Sequence, residues 1–293
     1  MCIVPRVSVG RGTHRIGEFA RRVGVSPELL RAWEQRYGLL QPIRSAGGFR
    51  LYTDEDADRV ARMQRALADG MSAAEAAQVA LENDTPARGL IEDAQARLLA
   101  AIEAYDETAL QTVLDDALAA FGLEPFVRDL ILPALDEIGR RWESGNAEVS
   151  QEHFASNLIR GRLLSLARLW GRGAGPLALL ACAPGEQHDI SLLAFGLLLR
   201  SHGWRILFLG ADTPISTLEA TAQVTAPAAI VLVAFDAALL ESEATALRRL
   251  GRIAPLLLSG PGATADLPRL AHIRRLDRDL VAAADELARM SNQ

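Results

Sequence analysis

The residues best suited to chemistry lie between Trp142 and Ser191. After Trp142 come nine residues and then Glu152-His153; further on stands Glu186-Gln187-His188-Asp189-Ile190-Ser191. Imidazole is a common metal ligand, and a carboxylate two residues before it can hold its other ring nitrogen and fix the tautomer. Glu152 and His153 fall in a helical pattern, whereas His188 follows a short apolar strand. Two histidines and an indole ring could therefore face one crevice from opposite sides, which suits a large planar metal cofactor. Each piece alone has a plainer reading. A His beside a Glu is more often a surface or capping pair, and a single Trp is usually core.

The surrounding pattern says what positions these groups. Leu177–Cys182 is a continuous apolar run, as in a buried parallel strand. A helix over 190–200, strands at 205–209, 228–234 and 255–258, and helices from 215 and near 241–250 continue the alternation, with a final helix after 262. This predicts a Rossmann-like, doubly wound α/β sheet whose ligand site lies at the C-terminal strand ends, where His188 falls. From Leu90 to Trp170 apolar residues recur three and four apart, with breaks at Tyr105-Asp106, Phe121-Gly122 and Ser144-Gly145-Asn146. Four helices of a bundle follow, the third containing Pro133 at a kink or near its start. Trp142 ends the third helix; Val149, Ser150 and Gln151 open the fourth.

The N-terminal quarter reads differently. Thr13 can cap a helix with Ile16, Phe19 and Ala20 on one face, and after Gly24 the triplet Ser26-Pro27-Glu28 opens a second helix through Tyr37. A short helix, a Gly turn and a second polar helix make a helix-turn-helix. Arg44 to Tyr52 reads as a hairpin wing around glycines, and Thr53 with Asp54–Asp58 opens another helix. Trp33, at helical spacing from Leu29 and Leu30, reads as core. Residues 1–75 carry twelve Arg against nine acidic residues, a balance of +3, which leaves −9 for the remainder of a net −6. A basic N-terminal module on an acidic body suits a nucleic-acid reader joined to something else.

Leu30-Arg31, Trp33-Glu34 and Arg36-Tyr37-Gly38, followed by the Gly48-Phe49-Arg50-Leu51-Tyr52 wing, resemble the DNA-binding module of MerR-type regulators. The resemblance implies a double-stranded DNA operator as partner. Arg31 and Arg36 would lie near the major groove, and Arg44, Arg50 and Tyr52 at phosphates or the wing-side groove, with Arg15 and Tyr37 as further DNA-contact residues. The Trp142, Glu152-His153 cap ahead of an α/β domain resembles CarH-type light-sensing regulators. That resemblance implies adenosylcobalamin as cofactor, with Trp142 and Glu152 packed on the adenosyl group and His153 as upper cobalt ligand after light breaks the cobalt–carbon bond. Glu186-x-His188 resembles the Asp-x-His-x-x-Gly signature of cobalamin-binding domains, which makes His188 the lower cobalt ligand beside Glu186 and Asp189. Three departures stand in the slot for the cofactor's nucleotide tail. The signature Gly is Ser191, the expected Ser is Val233 or Ala234, and the expected Gly-Gly reads Ser259-Gly260-Pro261-Gly262. Each adds bulk or removes a hydrogen bond, so weaker tail binding or a different planar ligand follows.

The expected organisation is a loose N-terminus (1–12), a winged helix-turn-helix, all-α with a small wing (13–82), a linker (83–92), a four-helix bundle (93–172) and a Rossmann-like domain (173–293). The implied function is a repressor assembled on its operator in the dark, as a homotetramer or a dimer, and released by light. One rival keeps the architecture with another tetrapyrrole or no ligand. A cobalamin-dependent enzyme is disfavoured because no catalytic barrel or substrate site is recognisable. Soft-metal sensing lacks cysteine ligands, since only Cys2 and Cys182 occur. With no signal peptide and no apolar run near twenty residues, a cytoplasmic protein without membrane contact is expected.

Overall fold

The computed structural model describes residues 14–44, 48–82, 84–144, 148–277 and 279–290; the segment expected to be loose over 1–12, the candidate cap Thr13 and the tip of the wing fall outside them. The chain divides into two compact units that part between Asp93 and Ala94.

The first unit contains α1 (Ile16–Val23), α2 (Pro27–Tyr37), the antiparallel wing strands β1 (Ile43–Arg44) and β2 (Arg50–Leu51), α3 (Asp54–Ala68) and α4 (Ala73–Glu82). Ser26 caps α2 by accepting from the Leu29 amide at 3.3 Å, with Pro27 in the first position, where its missing N–H costs nothing. Thr53 and Asp56 form a capping box on α3. Asp56 is fully buried and also accepts from the Gln41 amide at 2.8 Å and from Arg59 at 2.9 Å, so one carboxylate ties the wing's surroundings to α3. Trp33 is core, packed with Phe19, Leu30, Val60 and Met63.

Helix α5 (Asp84–Glu103) overrides the expected linker, which is helical from Asp84 onward. Asp84-Thr85-Pro86 is a helix start rather than a break, because proline is tolerated in the first turn.

The second unit continues with α6 (Glu107–Phe121), the short α7 (Leu123–Pro125), a π-helical turn (Phe126–Ile131), α8 (Leu132–Glu143) and α9 (Val149–Leu166). Pro133 has no N–H and its ring would crowd the Asp129 carbonyl of a regular helix. The wider π turn accommodates it. The carbonyl so freed accepts from Gln95 Nε2 on α5 at 2.5 Å. Five parallel strands follow: β3 (Leu177–Cys182), β4 (Arg205–Gly210), β5 (Ala229–Val233), β6 (Leu256–Ser259) and β7 (Arg274–Arg275), in the spatial order β4-β3-β5-β6-β7. The two-residue β7 lies where only a final helix was expected.

Alternation along β3 divides the core. Ala178, Leu180 and Cys182 pack on one side with α10 (Ile190–Ser201), the bundle and, at the C-terminus, α14 (Leu280–Met290). Leu179 and Ala181 face the other side, toward α11 (Ile215–Thr225), the short α12 (Ala237–Ser242) and α13 (Ala244–Ile253). Both faces are covered, as a parallel sheet requires. The strand order reverses between β3 and β5, and the crevice beyond their carboxyl ends is where such sheets place ligands.

Candidate functional site

Two short loops meet at that crevice. After β3 the chain turns through Gly185, Glu186 and His188; after β5 it passes Ala234 and Phe235. Glu186 is buried, and its two oxygens are fully used. One accepts from the His188 amide at 2.9 Å and pairs with His188 Nδ1; the other accepts from the Phe235 amide at 2.7 Å. Burial alone would raise the Glu186 carboxyl, but the bonds from the His188 ring, the Phe235 amide and the His188 amide outweigh it and hold it below the usual carboxylate range. It is a carboxylate at neutral pH.

A carboxylate beside Nδ1 selects the tautomer that carries its proton there, leaving a lone pair on Nε2. His188 Nε2 is buried and has no hydrogen-bond partner among the described residues. The ring lies 5.0 Å from Phe235, centroid to centroid. From behind, the Cys182 thiol donates to the His188 carbonyl at 3.6 Å; burial and then the nearby Asp189 and Glu186 charges push that thiol's pKa up, so it remains a donor. Asp189, also buried, receives a two-pronged contact from Arg160 of α9, Nε at 2.9 Å and Nη2 at 2.7 Å.

On the bundle side, α9 buries Glu152, Ala155, Ile159 and Leu163. The spacing of three and four residues is one helical stripe, and Glu152 sits within it where an apolar residue belongs. Its Oε1 accepts from Ser156 at 2.9 Å, whereas Oε2 is buried without a hydrogen bond. His153 Nε2 lies 3.4 Å from that oxygen, within ion-pair reach but not aligned as a hydrogen bond; its side chain is 49% exposed. Trp142 is partly buried near the end of α8.

The remaining positions read as a tail slot gather at the ends of β5 and β6. Ala234 N–H donates to the Ser259 carbonyl at 3.2 Å, and Gly262 N–H donates to the Ala234 carbonyl at 3.0 Å. A Cβ on Gly260 would stand 2.6 Å from the Ala234 oxygen, and one on Gly262 would stand 2.8 Å from the Asp236 carbonyl carbon. Glycine is needed here because two loops of the chain touch. Val233 is buried beside them, and Ser191 is partly buried in the first turn of α10.

In the first unit Arg15, Arg31, Arg36, Arg44 and Arg50 are exposed and Tyr37 is partly so. Tyr52, expected at the DNA surface, is instead fully buried, stacked on Phe19 at 5.0 Å. Its hydroxyl donates to Glu34 at 2.8 Å, and the other Glu34 oxygen holds Arg50 at 3.1 Å. Tyr52 therefore supports the wing from beneath. Arg15 lies over the Phe49 ring at 4.6 Å, joining the start of α1 to the wing.

A MerR HTH regulatory protein model matches residues 14–82, and a B12 binding domain model matches residues 94–166. The chain is 35% identical over 290 residues to the HTH-type transcriptional repressor CarA of Myxococcus xanthus, covering 96% of this chain and 97% of the relative. To the repressor CarH of the same organism it is 38% identical over 219 residues, 70% of this chain and 73% of that one. It belongs to the CarA/CarH family of MerR-type repressors.

A solved monomethylamine corrinoid protein of Methanosarcina barkeri shares the fold of the second unit, with TM-score 0.55 and 18% identity over 68% of this chain and 99% of that one. Four partners of these side chains are not singled out by the motifs of this CarA/CarH-family chain: Glu34, Arg160, Ser156 and Phe235. Glu34 was detectable in principle. An acid inside a helix expected to approach phosphates would be repelled unless the protein supplied it with partners, here Tyr52 and Arg50. Arg160 also left a trace, lying seven residues after His153 and so on the same side of α9 two turns along.

Proposed function

We propose that this chain is a cytoplasmic, light-dependent transcriptional repressor that holds adenosylcobalamin between α8–α9 and the ends of β3 and β5, and grips operator DNA as a homotetramer in the dark. The observation that carries the reading is His188: a buried Nε2 without a partner, on a ring whose Nδ1 is held by a buried carboxylate. Among the described residues no three His, Cys, Asp or Glu side chains converge as a metal cage. A metal carried in a macrocycle would ask for fewer protein ligands than a bare ion. The bound cofactor supplies a light-cleavable cobalt–carbon bond. His188 would offer its free Nε2 to the bound metal, Glu152 its unpaired oxygen to a polar group of the ligand, Trp142 an apolar wall, and His153 a second imidazole from the bundle side. No described helix is long and apolar enough to cross a membrane.

In the DNA-binding unit the exposed Arg31 and Arg36 of α2 read base edges or clamp phosphates, with Arg15, Arg44 and Arg50 on the wing side. The test uses duplex DNA selected from a randomised pool, with protein loaded with adenosylcobalamin. Light scattering and gel shift should show a tetramer and a retarded band in darkness, and loss of both after green light. An oligomer and a band indifferent to light would overturn the proposal. A second reading, another tetrapyrrole, is favoured by the contact between the Ala234 and Gly260–Gly262 loops, which occupies the positions read as the tail slot. Uptake of such a ligand with rejection of cobalamin would establish it.

A further inference from the structure

Helix α9 carries Glu152 and His153 in its first turn and, two turns later, Arg160, which extends to the loop after β3. Arg160 reaches Asp189, the residue that directly follows His188. Asp is among the best helix N-cap residues because its carboxylate accepts from the first free amides. Asp189 occupies the N-cap of α10, yet its side chain makes no capping bond. It turns away and receives Arg160 instead, with Nε 2.9 Å from Oδ1 and 3.1 Å from Oδ2, and Nη2 2.7 Å from Oδ2. Asp189 is buried, while Arg160 is 43% exposed. A planar two-pronged grip of this kind fixes orientation as well as distance. His188 is thus held at its ring by Glu186, at its carbonyl by Cys182, and at the next residue by the bundle.

We propose that Arg160 is a positioning residue for His188, and that its grip on Asp189 makes the seat of the lower ligand depend on the placement of α9. The same helix bears the upper-face groups, so a shift of α9 that breaks the grip releases the His188 loop. This rests on the corrinoid reading above for its ligand, but the grip itself can be tested without one.

The experiment compares the full chain with Arg160→Gln, Asp189→Asn and Arg160→Lys. In ligand-free protein, amide hydrogen exchange over 186–193 should quicken about tenfold or more in Arg160→Gln and Asp189→Asn, with β5 and β6 unchanged. Arg160→Lys, a point charge without the fork, should fall between. In protein carrying heavy-nitrogen histidine and loaded with cob(II)alamin, the paramagnetic spectrum should show His nitrogen coupling in the wild type and a smaller coupled fraction in the two neutral variants. Unchanged exchange in both variants overturns the proposal, and so does equal quickening throughout the sheet, which marks a purely structural pair. Full His coupling in variants whose loop exchanges faster overturns the positioning role. If the wild type takes up no cob(II)alamin, the corrinoid reading fails and the positioning role with it; the exchange arm alone then decides the grip.

Discussion

Glu186 and Glu152 are both buried carboxylates, and they differ in how they are satisfied. Every oxygen of Glu186 is engaged by the chain itself, by the His188 ring and by two backbone amides. Glu152 has one oxygen on Ser156 and one with no hydrogen bond. A buried polar atom without a partner is costly, and natural chains keep few of them away from sites of function. On the proposed corrinoid reading, the contrast would separate a lower face finished by folding from an upper face that a ligand completes. His188 is set before binding; His153, half exposed, is not.

The most damaging substitution is expected on the finished face. His188→Ala should lower retention of adenosylcobalamin by more than about a hundredfold, beyond the loss typical of an outer-shell partner, as read by absorption after desalting. Glu186→Gln keeps the shape but removes the charge that holds Nδ1. It should cost about tenfold to a hundredfold in the same assay. Equal retention in both variants would break the idea of a prebuilt lower face.

The unfinished face predicts an opposite sign. Glu152→Gln places a neutral group where a carboxylate oxygen lacks a hydrogen bond, so ligand-free protein should melt at higher temperature, by an amount on the order of 1 kcal/mol. The same variant should discriminate less between adenosyl- and methylcobalamin. A lower melting temperature would mean that Glu152 is already satisfied without a ligand.

An effect confined to the DNA-binding unit, without consequence for cofactor retention, belongs to the third carboxylate, Glu34. Tyr52→Phe keeps the stacking on Phe19 and removes one hydrogen bond, about 1 to 2 kcal/mol of that unit's stability by denaturant titration. Burial, with the bond and charge of Glu34, pushes the Tyr52 hydroxyl from 10.0 up to about 12. A raised pKa means the stabilisation is complete below about 10 and is lost as pH rises through about 12. In the variant the last step of tyrosinate absorbance in folded protein should vanish.

Local pattern made much of this architecture legible. The apolar run Leu177–Cys182 is β3 residue for residue, and the loop bearing Glu186 and His188 lies beyond it as the pattern requires. The bundle helices follow from apolar spacing, because short connections leave each helix one buried stripe. What escaped depends on distant partners or on relative burial. Arg160 and Asp189 are 29 residues apart and meet only because α9 packs near the start of α10. Tyr52 looked like a wing contact because nothing local shows that its ring turns inward onto Phe19. Asp84 to Pro86 held a proline and turn formers, yet such residue types also begin helices, and local composition does not separate the two. The two residues of β7 are too few to carry a period.

The most direct test of the central claim is an absorption spectrum of wild type and His188→Ala, each mixed with adenosylcobalamin in darkness, desalted, and then exposed to green light. Wild type should retain the cofactor, with bands of an imidazole-ligated corrinoid that shift on illumination, while His188→Ala should lose it in the desalting step. Identical spectra from the two proteins, or no retained cofactor in either, would contradict a corrinoid held by His188.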